Sequence, residues 1–202
     1  MNKHDQFRAL LHSIAQPIVF DIGAHKGEDS ILFADYAHEV HAFECDPRNS
    51  IPSHPRIKPT YKAISDNNGK AKFRLSNAVG HEWAASSTLM VPKKHLEEHP
   101  HINFDTEVEV ETISLDTYCE SNQIQRIDLI HADVQGAEEL MIKGGQIALS
   151  KTLYLYTEYS NQEDFECQPN LQKILQLLPG NWEIIAQPDP WNALIQNLSP
   201  VR

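Results

Sequence analysis

Three carboxylates and a hydroxyl fall where short apolar runs end. Asp21 closes "PIVFD", Glu44 closes "EVHAFE", Ser65 closes "TYKAIS" and Asp133 closes "RIDLIHAD". In an open α/β sheet, ligands lie beyond the carboxyl ends of the strands, where the strand order reverses, so these four residues would meet at one edge. Gly23 and Gly27 follow Asp21 and allow left-handed backbone and close approach. Glu44 stands about 20 residues beyond Gly23, the place from which an acid accepts hydrogen bonds from a ribose diol. The pattern predicts a nucleoside-containing cofactor.

Charge narrows the choice. The spacing is G-x-x-x-G, not the G-x-G-x-x-G that seats a pyrophosphate on a helix N-terminus, and no Gly-Lys-Ser/Thr follows to make a P-loop. Asp21, Glu28 and Asp29 crowd the start of the next helix and would repel phosphates. They suit a cofactor carrying positive charge, and S-adenosylmethionine, with its sulfonium and amino group, fits that balance. A nicotinamide-dependent oxidoreductase is the lesser alternative. A reaction at a hydroxyl would need a group to take the proton. Asp133 and Glu158, each at the end of a strand run, are the candidate bases, with His131 third. His131 lies two positions before Asp133, so the two share one face of their strand.

The elements that must position these residues alternate. Strand runs at 17–21, 39–44, 60–65, 126–133 and 153–158 are interleaved with helical stretches at 28–37, 136–143 and 170–180, and Gly144-Gly145 reads as a helix stop. Such alternation argues an α/β fold with a mostly parallel sheet. "WEIIAQ" and "NALIQN" form a closing antiparallel pair. Between Gly69 and Ile113 the alternation breaks. "KAKFRL" and "TEVEVETI" have the period-two pattern of half-exposed strands, so an inserted β-hairpin with a long connection is expected over 70–112. Residues 1–16 carry Phe7, Leu10, Leu11 and Ile14 at helical spacing, giving an N-terminal helix on a single domain spanning 1–202.

Bulk properties exclude several classes. A net charge of −11 with 17 thinly spread basic residues disfavours a nucleic-acid partner. No apolar run approaches the roughly 18 residues of a membrane span, and the charged N-terminus has no secretory pattern. Cys45, Cys119 and Cys167 are too few and scattered for a disulfide framework, so a cytoplasmic setting is expected. "HLEEH" at 95–99 fits the spacing of a zinc motif, but Pro92 and Pro100 confine any helix to a short turn, and no metal site is expected. "NLS" at 197–199 has the form of a glycosylation acceptor, a role that a cytoplasmic setting removes.

Six stretches in order, "VFDIGAHKGEDS" (19–30), "HAFECDP" (41–47), "KAISDNNGKAKF" (62–73), "SSTL" (86–89), "VETISLDTY" (110–118) and "IDLIHADVQGAEELMIKGG" (127–145), resemble the FkbM-type family of class I S-adenosylmethionine-dependent methyltransferases. The resemblance implies a Rossmann-like fold with a seven-stranded, mostly parallel sheet, an antiparallel C-terminal strand and methyl transfer to a hydroxyl oxygen. It also implies that Asp21, Gly23, Ala24 and Gly27 form the loop for the methionine end of the cofactor, and that Glu44 binds the ribose. Cys45 with Ala63, Ile64 and Ser65 would flank the adenine, Asp133 would sit beside the transferable methyl, and Glu138 on the next helix. "SSTL" would belong to a lid. The family pattern usually has a lysine and a glutamate where this chain has His131 and Gln135. The reading is an S-adenosylmethionine-dependent methyltransferase acting on a small-molecule, sugar or peptide acceptor, most simply at a hydroxyl. A carboxyl or peptide-end methyltransferase and an inactive nucleoside-binding module are the alternatives.

Overall fold

The computed structural model describes residues 3–201. Helix α1 (Lys3–His12) is followed by β1 (Ile18–Ile22), α2 (Glu28–Ala34), β2 (Glu39–Phe43) and β3 (Ile57–Thr60). Next come β4 (Ala63–Ile64), β5 (Gly69–Ala78), β6 (His81–Glu82), α3 (His95–Glu98) and β7 (Ile102–Ile113). Helix α4 (Leu115–Ser121), β8 (Ile127–Ala132), α5 (Glu138–Lys143), α6 (Gln146–Ser150) and β9 (Thr152–Glu158) continue the alternation. Helix α7 (Leu171–Leu177) and the hairpin β10 (Trp182–Asp189) and β11 (Asn192–Asn197) close it. Residues 1 and 2 of the expected N-terminal helix lie outside the described residues.

The main sheet has seven strands in the order β10-β11-β9-β8-β1-β2-β3. Strands β3, β2, β1, β8 and β9 run parallel, and β11 pairs antiparallel with both β9 and β10. This is the Rossmann-like methyltransferase architecture with its antiparallel last strand. The inner parallel strands β1, β2 and β8 are buried on both faces, so their residues read as near-continuous apolar runs, as in β8, where all six residues are buried, whereas the edge strand β3 is half exposed. One face packs Leu115, Met141, Ala148 and Ile174 of α4 to α7 against Phe20, Ile130 and Leu155. The other packs Phe7 and Leu11 of α1 and Phe33 of α2 against Val19, Leu129 and Tyr156. Burying each such large side chain contributes about 1.5–3 kcal/mol. No helix among the described residues is long and apolar enough to cross a membrane.

The third strand departs from expectation. The run at 60–65 is split: β3 ends at Thr60, and Ala63 and Ile64 pair instead with Thr112 and Ile113 in a second sheet of order β4-β7-β5-β6. Pro59 lies in β3, at the sheet edge, where a missing N–H costs no ladder bond. The inserted hairpin is β5 with β7, paired antiparallel from Gly69↔Thr112 to Ala78↔Ile102. Gly144 and Gly145 end α5 as predicted but for a different reason. Gly144 has φ −81°, and a methyl group there would lie 2.1 Å from the Ser65 carbonyl oxygen. That residue is required by close packing, not by a left-handed cap. Asn197 is buried, its amide donating to the Thr152 carbonyl (3.1 Å), so the asparagine of the "NLS" stretch is held in the core while Leu198 and Ser199 are exposed.

Candidate active site

A cavity of about 210 Å³ opens beyond the carboxyl ends of β1, β2 and β8, at the point where strand order reverses. Asp21, Gly23, Ala24, Glu44, Cys45, Ala63, Ile64, His131 and Asp133 all line it. Gly27, Ser65 and Glu158 do not line the cavity. Ser65, carried off with the second sheet, is buried against Gly144 with its hydroxyl on Asp66.

Both glycines serve the shape of the loop. Gly23 has φ 85°, and a side chain there would strike the Asp133 carbonyl oxygen at 1.8 Å. Gly27 has φ 77° and faces Pro52, which a methyl group would meet at 2.6 Å. The Gly23 and Ala24 amides donate to the Phe43 carbonyl (3.0 and 2.9 Å), tying the loop to the end of β2. The loop is thus fixed before any ligand arrives.

Asp21 is inside β1, in register with His131 on β8, so their side chains project from one face. His131 Nδ1 is 2.9 Å from Asp21 Oδ1, Ser30 Oγ donates to Asp21 Oδ2, and His131 Nε2 lies 3.7 Å from Asp29. The imidazole stacks on Tyr156 and meets Phe7 and Phe33 edge-on. It is buried between two carboxylates and three aromatic rings, which fixes its orientation. Burial, then Lys26, holds the nearby His25 imidazole below its usual pKa.

Glu44 follows β2 and is buried. Its Oε1 accepts from the Cys45 and Asp46 amides (both 2.6 Å), and its Oε2 from Asn49 Nδ2 (3.3 Å). Burial raises its pKa despite those donors. The adjoining Cys45 thiol is pushed up well above its usual value by burial and by Glu44, which makes it a filler and not a nucleophile. Around it Ala63, Phe73, Leu75 and Val110 of the second sheet pack with Leu89 into a small apolar cluster, and Ile64, Phe73 and Leu89 face the cavity.

Asp133 follows β8, its amide bound to the Ile22 carbonyl. It does not cap α5, whose N-cap is Ala137. Instead its Oδ1 accepts from Gln135 Nε2 at 2.7 Å, and the same nitrogen donates to Glu158 Oε2 at 3.0 Å. The two candidate bases are therefore joined by one amide. Glu138 is fully buried; its Oε1 accepts from the Gly136 amide (3.3 Å), and burial raises its pKa to about 7.

Residues 84–89 roof the cavity through Ala84, Ala85, Ser87 and Leu89. Trp83, 42% exposed, stays outside with Nε1 on Ser86 Oγ. Arg48 clamps this roof. It donates to both Asp46 oxygens (2.9 and 2.6 Å), the Ser76 carbonyl (3.0 Å), Asn77 Oδ1 (2.9 Å) and Ser87 Oγ (3.0 Å). Burial alone would raise the Asp46 carboxyl, but these donors and Ser87 hold it below the usual range. Thr88 Oγ1 adds a bond to the Gln135 carbonyl (2.7 Å).

Residues 21–184 match the family model described as the methyltransferase FkbM domain. The chain belongs to the FkbM methyltransferase family. This FkbM methyltransferase is 40% identical over 194 residues to the 2-O-methyltransferase NoeI of Sinorhizobium fredii (strain NBRC 101917 / NGR234), covering 91% of this chain and 79% of that one. A solved S-adenosylmethionine-dependent methyltransferase from Anabaena variabilis ATCC 29413 aligns over 98% of this chain and 96% of its own, with 10% identity and a TM-score of 0.40.

Sequence reasoning missed several lining residues of this methyltransferase: His25, Asp46, Lys62, Phe73 and Gln135. For Phe73 a signal existed. It alternates with Ala71 and Leu75 and pairs with Val108 across the hairpin, so an inward face was readable, though not what it faced. The short "HLEEH" helix, by contrast, packs His95 against Phe104 and Phe165. No group of three or more His, Cys, Asp or Glu side chains able to hold a metal ion occurs among the described residues.

Proposed function

We propose that this methyltransferase moves the methyl group of S-adenosylmethionine to a hydroxyl oxygen of a small molecule or sugar. The lining fits that donor. Asp21, Glu28, Asp29, Glu44, Asp46 and Asp133 outnumber the one lysine, Lys62, which is itself paired with Glu111 (2.8 Å). An acidic cavity favours a cationic ligand and opposes a pyrophosphate. The donor supplies a methyl carbon attached to a positively charged sulfur.

Each residue then has a task. Glu44, pre-oriented by two backbone amides, accepts from the ribose hydroxyls, and Ala63, Ile64, Cys45, Phe73 and Leu89 give the adenine an apolar wall. Asp21, held by Ser30 and His131, presents negative charge to the amino-acid end, beside the loop shaped by Gly23, Ala24 and Gly27. Carboxylates at this end should orient more than attract, because attraction to a charge that is lost in the reaction also stabilises the ground state. Asp133 is the group at the cavity wall that takes the acceptor's hydroxyl proton, with Glu158 sharing the charge through Gln135. Positioning by the roof and loop supplies much of the remaining rate.

The observation that carries the hydroxyl reading is the Asp133–Gln135–Glu158 chain. A hydroxyl acceptor needs a base, whereas a carboxylate acceptor needs none and would be repelled by this pair. The name of the relative NoeI, an O-methyltransferase, points the same way. Incubation with methyl-labelled S-adenosylmethionine and a panel of alcohols, monosaccharides and oligosaccharides should give labelled ether that survives mild base. A labelled product hydrolysed by mild base would be an ester and would overturn the hydroxyl assignment.

A further inference from the structure

Gln135 sits in the turn after β8 with φ 50°, a left-handed conformation that costs a non-glycine residue of order 1 kcal/mol. Gly136 follows with φ 94°, and Phe165 fills the space where its side chain would be. The turn sends the Gln135 side chain back over the strand end. There Nε2 reaches Asp133 Oδ1 at 2.7 Å and Glu158 Oε2 at 3.0 Å. The amide can be assigned from chemistry: with a carboxylate oxygen at each contact, the atom between them must be the NH2 group.

An NH2 group has two hydrogens and can donate one to each oxygen. A carboxyl at the same position could donate at most one, and only when protonated; a hydrocarbon could donate none. The position therefore decides whether two carboxylates can stay charged side by side, since like charges this close normally force one to keep its proton.

We propose that Gln135 is a positioning residue that holds Asp133 and Glu158 together, both unprotonated, as one proton-accepting pair at the cavity wall. The inference rests on the reading of Asp133 as the acceptor's base, and it adds what sets the acidity range in which that base works. The same residue reports on the roof, because its carbonyl accepts from Thr88 Oγ1. Closure of the roof and alignment of the pair thus share one turn of backbone.

Other charged and titratable groups face the pair and must be held constant in a test. His25 in the loop before α2 and Glu138 on α5 interact with Asp133. His131 precedes it on β8. Tyr156 on β9 interacts with Asp29 of α2, with Asp189 of β10 and with both members of the pair. Substituting Gln135 leaves all of these in place.

The test is a pH titration of the full chain carrying 13C-labelled Asp and Glu carboxyl carbons, followed by NMR, with Asp133→Asn and Glu158→Gln used to assign the two signals. In Gln135→Met, one of the two carboxyls should titrate about one pH unit or more above its wild-type midpoint, because both donors are gone and the repulsion remains. In Gln135→Glu, the three-carboxyl cluster should retain a proton at a pH where wild type has none. With an active acceptor, the acid limb of kcat/KM should move up by a similar amount in both variants, with kcat recovering at high pH. A general packing defect would lower activity at every pH and leave the limb in place. Titration curves for both variants that overlay wild type within about 0.3 pH unit would overturn the proposal. The carboxyl titrations need no cofactor, so failure to bind S-adenosylmethionine would count against the proposed function and leave this inference standing or falling on its own curves.

Discussion

At the residue scale the account turns on which carboxylates touch the reaction and which only support it. Asp133 lines the cavity, so Asp133→Asn is expected to lower kcat by about 100-fold or more while the affinity for S-adenosylhomocysteine changes by a few-fold at most; comparing turnover with calorimetry on the same preparation checks it. Glu138 behaves differently. It is fully buried, its Oε2 has no hydrogen-bond partner among the described residues, and its pKa is raised from 4.5 to about 7. The folded state therefore holds a proton that the unfolded state releases above about pH 4.5. Its stabilising contribution is present below that pH, is lost as pH rises through about 7, and is flat beyond. Glu138→Gln, which keeps the acceptor for the Gly136 amide, should remove this pH dependence and gain up to about 3 kcal/mol above pH 7 relative to wild type. Urea unfolding from pH 4 to 8 measures it, and parallel stability profiles for the two proteins would refute the assignment.

At the element scale the second sheet and its roof matter most. Arg48 joins the loop after β2 to β5 and to Ser87, and hydrogen bonds to a charged group contribute about 1.5–3 kcal/mol each. Arg48→Ala should free residues 84–89, raising amide hydrogen exchange there by about tenfold or more while β8 and β1 keep their protection. Equal exchange in the roof of both proteins would mean that its other contacts, such as Thr88 on the Gln135 carbonyl and Arg74 on the Leu89 and Met90 carbonyls, hold it without Arg48. This element was also the least legible in the sequence. Strand ends at Asp21, Glu44, Asp133 and Glu158 were readable within a residue or so because buried parallel strands are long apolar runs. The break at Tyr61-Lys62 was not, because two short β segments in succession look like one strand whatever sheet each joins. Ser65 was consequently placed at the main sheet's edge, and Phe73 as a wall of the cavity went unnoticed. The Gln135 bridge was invisible for a different reason: it depends on a left-handed turn and on a partner 23 residues away.

At the scale of the whole molecule, sheet order does the assembling. The reversal between β1 and β8 opens the crevice, the Gly23 loop and the Asp133 turn are pressed together across it, and Ala63, Ile64 and Phe73 of the second sheet close one side, the side proposed for the adenine. Helix α1 lays Phe7 against the His131 ring from behind, so the N-terminal helix helps to fix a cavity-lining side chain. Six of the chain's 28 carboxylates and one lysine line the cavity, so it is acidic, like the chain as a whole with its net charge of −11. The most direct test of the central claim is calorimetric titration of the folded chain with S-adenosylhomocysteine. One molecule should bind per chain, and Glu44→Ala should weaken it by about 10-fold or more through loss of the ribose contact. No heat with the wild-type protein, or equal affinity in the Glu44 variant, would contradict the placement of the cofactor in this cavity.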